Sequence, residues 1–384
     1  MSQDITSRKP LGLIELVDKQ LQVSMLKTAI ARGRLGGTLL FTGPDGSGKS
    51  SLAFWLAAAL NCTSSNLQAI PCASCASCRK VETLNHPDVF WIMPLPGSFY
   101  RGENIDSEKL ADIFRQKRET PWLDVQFPEK SEHHLAAVSR IRSEAATSCY
   151  EGRKKVFIIT AADRLRVEAA NAFLKLLEEP RANQILILCS DRPASLLPTI
   201  LSRCQKLQVV RPSFSRSVSL LTERFGASEQ EARQLLSMAD GNLTAALRMR
   251  TEESFQAQKK WVEKTFQAVL HPDSGDWYSL IDNRKGPLWN RGDFERYLSV
   301  LIQSLHDVLL FCLGRNRPAG ELGGSAVTSS GSREYASRVM DSQSLVNLLG
   351  RLVNLRDALN RNINLRLLGW SILRQMKEVV QDEC

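Results

Sequence analysis

Apolar residues near helical spacing open the chain. Leu13, Leu16, Val17, Leu21, Met25, Leu26 and Ile30 predict a helix over 11–35. The short apolar run Thr38-Leu39-Leu40-Phe41-Thr42 then reads as a strand buried in a parallel sheet. It ends in Gly43-Pro44-Asp45-Gly46-Ser47-Gly48-Lys49-Ser50, after which 51–60 resumes as an apolar helix. Further on, 135–150 predicts a helix, 156–159 a second buried strand, 169–179 a helix stopped by Pro180, and 185–188 a third strand. The stretch 93–131, with its Pro, Gly and charged residues, reads as an insertion or a long loop. Strands alternating with helices predict an α/β module with a mainly parallel sheet over 1–212.

Beyond about residue 212 the strand signals stop. Residues 213–250 read as a small helical unit and 251–384 as an all-α domain with longer helices over 253–313 and 342–380. Pro318 to Ser332 (PAGELGGSAVTSSGS) has the composition of a flexible loop. Leu345, Leu348, Leu349, Leu352, Leu355, Leu359 and Ile363 approximate one apolar helix face. Arg351, Arg356, Arg361 and Arg366 recur every five residues, which advances about 140° per step around a helix. They spiral, so they do not form a phosphate-tracking stripe.

Composition narrows the class. With 384 residues the chain has room for two or three domains, and 43% hydrophobic against 24% charged residues excludes a mostly disordered one. No apolar run reaches the roughly 18 to 20 residues that cross a bilayer. The opening MSQDITSRKP lacks the apolar core of a secretion signal, so a cytoplasmic protein without membrane contact is expected. Fifty Lys+Arg against 41 Asp+Glu leave +9, which suits a polyanionic partner as well as a solvated basic surface.

Two motifs and one absence carry chemistry. Gly43 to Ser50 is G-x-x-x-x-G-K-S between a strand and a helix, the context of a phosphate loop. Backbone N–H groups of Gly43, Pro44's neighbours Asp45 and Gly46, Ser47 and Gly48 would turn to phosphate oxygens. Lys49 would reach the β- and γ-phosphates and Ser50 would ligate Mg²⁺. ATP or ADP with Mg²⁺ is the ligand such a loop takes; a relic loop that binds nothing is the other reading. Cys62, Cys72, Cys75 and Cys78 have the spacing of a closed tetrahedral zinc site, structural because no coordination position stays open. Free thiols or an iron–sulfur cluster are the alternatives. His86 lies near but reads as a packing histidine. A P-loop ATPase also needs an acid ending a second strand. Here 156–159 runs into Thr160-Ala161-Ala162-Asp163: Thr160 and Ala161 are no carboxylate pair, and Asp163 reads as a turn or helix cap before it reads as a replacement acid. Nucleotide binding without hydrolysis is expected.

In their order these pieces resemble the clamp-loader subunits of bacterial DNA polymerase III, members of the AAA+ superfamily, and most closely the delta-prime group. Leu39 to Pro44 leading into the P-loop, the four-cysteine module behind the P-loop helix, His86-Pro87-Asp88 and Tyr150-Glu151-Gly152-Arg153-Lys154-Lys155-Val156 carry the likeness. So do Ala169-Ala170-Asn171-Ala172-Phe173-Leu174-Lys175-Leu176-Leu177-Glu178-Glu179-Pro180 and Leu197-Pro198-Thr199-Ile200-Leu201-Ser202-Arg203-Cys204. The match spans 11–212, weakens over 213–250, and beyond that rests mainly on Asn360-Arg361-Asn362-Ile363-Asn364-Leu365.

The resemblance implies an AAA+ module (1–212), a helical lid (213–250) and a helical collar (251–384) that holds a hetero-oligomeric ring with gamma/tau-type and delta-type subunits. It implies ATP-driven loading of a sliding clamp onto primed DNA, touched through its backbone phosphates, with Arg203 as an arginine finger in trans. The chain would then be part of a DNA-directed DNA polymerase holoenzyme, a nucleotidyltransferase by membership. Ser190 falls at the sensor-1 position, and Gly241 to Leu247 lacks a sensor-2 arginine. An active gamma/tau-like ATPase is the alternative. Arg140 and Arg142 are weak candidates for DNA contact against a solvated helix face.

Overall fold

The structure is a computed structural model. It describes residues 20–66, 69–101, 104–121, 123–125, 127, 129–178, 181, 183–251, 253–270, 291–313, 336, 340–358 and 364–380. Contacts divide the chain into two units, Met1–Pro212 and Ser213–Cys384.

The first unit runs α1 (Gln20–Ala31), β1 (Thr38–Thr42), α2 (Lys49–Asn61), α3 (Ala76–Glu82) and β2 (Val89–Ile92). Short strands β3 (Leu95–Pro96), β4 (Tyr100–Arg101) and β5 (Asn104–Ile105) precede α4 (Ser107–Glu119) and β6 (Ser131–Glu132). Then come α5 (Leu135–Ala146), β7 (Lys155–Ile159), α6 (Val167–Glu178), β8 (Gln184–Ser190), α7 (Pro198–Leu201) and β9 (Gln205–Gln208). Five strands form one all-parallel sheet in the order β2-β7-β8-β1-β9. Because side chains alternate along a strand, the sheet separates two cores. Leu39, Phe41, Val156, Ile158, Ile185, Ile187 and Cys189 face the side that holds α2. Leu40, Phe157, Ile159, Leu186 and Leu188 face α5, α6 and α7. The non-sequential order brings the C-terminal ends of β1 and β8 side by side, with Thr42 opposite Ser190. That edge positions the P-loop.

Several sequence expectations are corrected. The first helix, expected over 11–35, is described from Gln20 to Ala31; it stops at a turn where Gly33 takes φ +61, and 11–19 lies outside the described residues. The helix expected over 135–150 ends at Ala146. The segment 93–131 is not a long loop. It carries α4, capped by the Asp106 carboxylate, which accepts from the N–H groups of Glu108 and Lys109. Seven of its thirteen residues are charged, which hides the apolar period, yet Ile113 is buried and Phe114 packs edge-on against Trp91 at 5.6 Å. Two strands of the five-stranded sheet lie outside the sequence expectation, β2 and β9, the latter an edge strand whose Gln-Lys-Leu-Gln has no apolar alternation; so do the two-residue strands β3 to β6.

In the second unit α8 (Phe214–Phe225), α9 (Glu229–Met238) and α10 (Leu243–Thr251) pack in sequence, followed by α11 (Glu253–Leu270), α12 (Arg291–Cys312), α13 (Ser342–Ala358) and α14 (Leu365–Val379). Ser213, Ser228 and Asn364 cap α8, α9 and α14. Leu345, Leu348 and Leu352 bury the expected apolar face of α13, while Leu359, Ile363 and the loop 318–332 lie outside the described residues.

Candidate nucleotide and metal sites

The P-loop is shaped by two glycines. At Gly43 a Cβ would sit 2.0 Å from the carbonyl oxygen of Val209, so only glycine lets the loop leave β1 this close to the chain after β9. Gly48, at φ +83, turns the chain into α2 in the left-handed region. Lys49 opens the helix and is buried (7% exposed), and Ser50 stands beside it, half-buried. The Ser47 N–H donates to the Pro44 carbonyl at 3.2 Å, and Arg211 Nε donates to the Asp45 carbonyl at 2.8 Å. A glycine-hinged turn at the N-terminus of a thirteen-residue helix, with a lysine and a hydroxyl in its first turn, fits a nucleotide's phosphates and Mg²⁺. Lys49 Nζ, however, donates to the carbonyls of Gly43 and Pro44, both at 2.9 Å, and meets Asp191 Oδ1 at 2.5 Å.

At the end of β7, Thr160 and Ala161 stand where acids would be needed. The Thr160 hydroxyl donates to the Ile92 carbonyl at 3.4 Å, its own carbonyl accepts from His133 Nε2 at 2.7 Å, and Ala161 takes φ +47. Asp163 is not a helix cap, which corrects that expectation. Its carboxylate, 4% exposed, accepts from the Ser190 hydroxyl at 2.9 Å and pairs with Arg192 at 3.5 Å, tying the end of β7 to the end of β8.

Arg203 follows α7 on the surface, 37% exposed, its guanidinium donating to the Thr199 carbonyl (3.1 Å) and pairing with Glu178 (3.0 Å). Arg140 and Arg142 are exposed on α5.

The four cysteines converge between α2 and α3. The Sγ atoms of Cys62, Cys72, Cys75 and Cys78 all lie within 4.8 Å of one another. A tetrahedral site with zinc–sulfur bonds of about 2.3 Å wants sulfurs about 3.8 Å apart, which a slight contraction supplies. Backbone N–H groups of Cys72, Cys75 and Cys78 donate to the sulfurs of Cys62, Cys72 and Cys75 at 3.4–3.5 Å, favouring thiolates. Burial pushes Cys75 up, but the N–H groups of Cys78 and Thr63 outweigh it and bring the thiol down to about 6. The Ser74 hydroxyl lowers Cys72, whereas burial raises Cys78. The set is compatible with structural zinc. His86 stays outside it: Nε2 meets the Ser77 hydroxyl at 3.1 Å and Nδ1 accepts from the Asp88 N–H.

The family described as DNA polymerase III, delta subunit, matches residues 18–213, just over half of the chain. The chain belongs to that family. A DNA polymerase III subunit delta' of Bacillus subtilis is 27% identical over 76% of this chain and 77% of its own length. A DNA polymerase III subunit tau of Salmonella typhimurium is 31% identical over 64% of this chain but only 34% of its own length. The delta' subunit of Haemophilus influenzae is 29% identical over 58% of this chain and 57% of its own. Among the described residues no helix is long and apolar enough to cross a membrane.

Within this member of the delta-subunit family two residues escape a reading of the sequence. Asp191 is an unremarkable acid after a strand until β8 is known to lie beside β1. His133 is signalled by nothing local. Its ring is buried, with Nε2 on the Thr160 carbonyl and Nδ1 without a hydrogen-bond partner among the described residues. Burial pushes it from 6.5 down to about 4, outweighing the Thr160 carbonyl, which favours the proton. The unfolded chain therefore takes up a proton that the folded chain refuses. The contribution of His133 to stability is present above pH 6.5 and is lost as pH falls through 6.5 towards about 4, by about 3 kcal/mol. His86 and His134, lowered chiefly by burial, add to the same limb. Asp88 does not: burial works against its ionisation, but the N–H groups of Glu151, Gly152 and Tyr150 hold it below 3.8, so its loss begins at more acid pH. Urea melts between pH 7 and 4.5 should show a steep loss for the wild type and a shallower one for His133→Gln; equal slopes would remove His133 from the account.

Proposed function

We propose that this chain is a delta-prime-like clamp-loader subunit that presents Arg203 to the ATP site of a neighbouring gamma/tau-type subunit and does not itself hydrolyse ATP. The observation that carries the reading is the end of β7. Thr160 and Ala161 offer no carboxylate, and Asp163 is held by Ser190 and Arg192. No acid from this strand is left to hold Mg²⁺ or polarise water. In the proposed assembly residues 213–250 form a lid and 251–384 a collar in a ring with gamma/tau-type and delta-type subunits. The ring acts on the sliding clamp and on primed DNA, whose phosphates are met without sequence selection and in a salt-dependent way. The four cysteines hold zinc as a structural ion. The P-loop would hold ATP or ADP with Mg²⁺, Lys49 meeting the phosphates and Ser50 the metal.

A second reading, an active gamma/tau-like ATPase, is favoured by the intact P-loop motif and by the likeness to tau subunits. Mg-ATP turnover by the purified chain, beside Lys49→Ala to exclude a contaminant, separates the two. The expected result is no turnover in either. Turnover that vanishes in Lys49→Ala would make the protein a motor subunit.

A further inference from the structure

We propose that Asp191 is an internal counter-anion of the P-loop, which competes with nucleotide phosphate for Lys49 and thereby sets the nucleotide affinity of this chain. The inference rests on the reading that the P-loop binds nucleotide. It goes beyond that reading in assigning a residue outside the motif to the control of affinity.

A lysine ammonium has three protons to donate. Here its near acceptors are the Gly43 and Pro44 carbonyls, both at 2.9 Å, and the Asp191 carboxylate at 2.5 Å, with the Ser47 hydroxyl farther off at 3.5 Å. The pair is not a loose surface contact, because the lysine side chain is only 8% exposed, although the aspartate is 43% exposed. Shielding of one partner from water strengthens the attraction and reduces its screening by salt. The carboxylate is also held by rigid backbone. Thr42 pairs with Ser190 in the parallel ladder, and the Gly43 N–H reaches the Ser190 carbonyl at 3.4 Å. Asp191, the next residue, is thereby presented to the P-loop by the sheet itself. Its cationic neighbour does not relieve it: Arg192 turns to Asp163.

The carboxylate thus sits on the ammonium, where phosphate oxygens bind in a P-loop. An entering phosphate must either displace it or settle beside a fixed like charge. Both lower the affinity.

The test is titration of the full-length chain with fluorescent ADP and ATP, each with Mg²⁺ and with EDTA. Wild type, Asp191→Asn, Asp191→Ser and Lys49→Ala are compared, with melting curves to show that each variant folds. Both Asp191 variants are expected to bind about tenfold more tightly or better, with and without Mg²⁺, and Lys49→Ala to lose binding. Binding by wild type that is unchanged in the Asp191 variants would overturn the proposal while leaving the P-loop a nucleotide site. Weaker binding by these variants in Mg²⁺ alone would also overturn it, making Asp191 a metal-holding carboxylate. No binding by any folded variant would remove the nucleotide site itself, and the proposal with it.

Discussion

Arg203→Ala is expected to leave the fold and the assembly of the ring intact while lowering the complex's ATPase and clamp-loading rates by an order of magnitude or more. The two halves of that expectation have different causes. Within this chain the Arg203 side chain makes one bond to the Thr199 carbonyl and one ion pair with Glu178, both on an exposed surface. Exposed pairs of this kind are worth about 0–1 kcal/mol, so their loss should not unfold anything. In trans, a guanidinium at the transferring phosphoryl group stabilises charge that develops only in the transition state, and such fingers contribute about 10³–10⁵ in rate where they have been removed. In a ring with further ATP sites, the loss in the whole complex would be smaller than at the one site the proposed finger serves. Arg203→Lys should not rescue it, because an ammonium lacks the planar fork that bridges phosphate oxygens. Glu178→Ala removes the intramolecular partner and leaves the arginine; its complex should keep activity. Steady-state turnover and clamp loading by the reconstituted complex are the measurements. Unchanged rates in a correctly assembled Arg203→Ala complex would sink the role.

What a reader of the sequence can see here is what is encoded locally. The β1 run, the glycine loop and the helix behind it lie within about two dozen residues, and each has its own period or turn chemistry. The cysteine module is likewise a matter of spacing. The empty acid positions are read directly as Thr160 and Ala161. The features that escape depend on neighbours distant in sequence. The polar residues of β9 form a strand because β1 lies open beside them, with Leu39 to Thr42 pairing Gln205 to Gln208. The role of Asp163 depends on Ser190, 27 residues away, and that of Asp191 on Lys49. In a parallel sheet every such pairing crosses over a helix, so no local pattern announces it. The helix α4 fails for another reason: its surface is so charged that only Leu110, Ile113 and Phe114 mark its inner face as apolar.

Chelating the zinc proposed for the cysteine module should cost the first unit several kcal/mol, seen as a fall of about 10 °C or more in its melting temperature. The reason is where the thiols sit. Cys62 closes α2, the helix that opens with Lys49, and is 1% exposed; Cys78, on α3, is fully buried. Both belong to the apolar core that contains Leu52, Leu56, Val81 and Trp91. Backbone N–H groups favour the thiolate at Cys75, but Cys78 lies deeper, where burial opposes its ionisation and a cation among the four sulfurs would offset that cost. Without one, burial drives Cys78 back to the thiol, and sulfurs that a metal would draw together lose their reason to converge. The contact between α3 and α2 then rests on a seven-residue helix and a few side chains such as Val81. Metal analysis of the purified chain should give one zinc per chain, and Cys78→Ser should abolish it and reproduce the loss of stability seen with a chelator. Cys149→Ser, outside the cluster, should do neither. Because α2 links the module to the P-loop, the chelated protein should also bind nucleotide less well than the zinc-loaded one. Full metal content with Cys78→Ser, or a melting temperature indifferent to chelation, would show that the four thiols do not hold a structural ion.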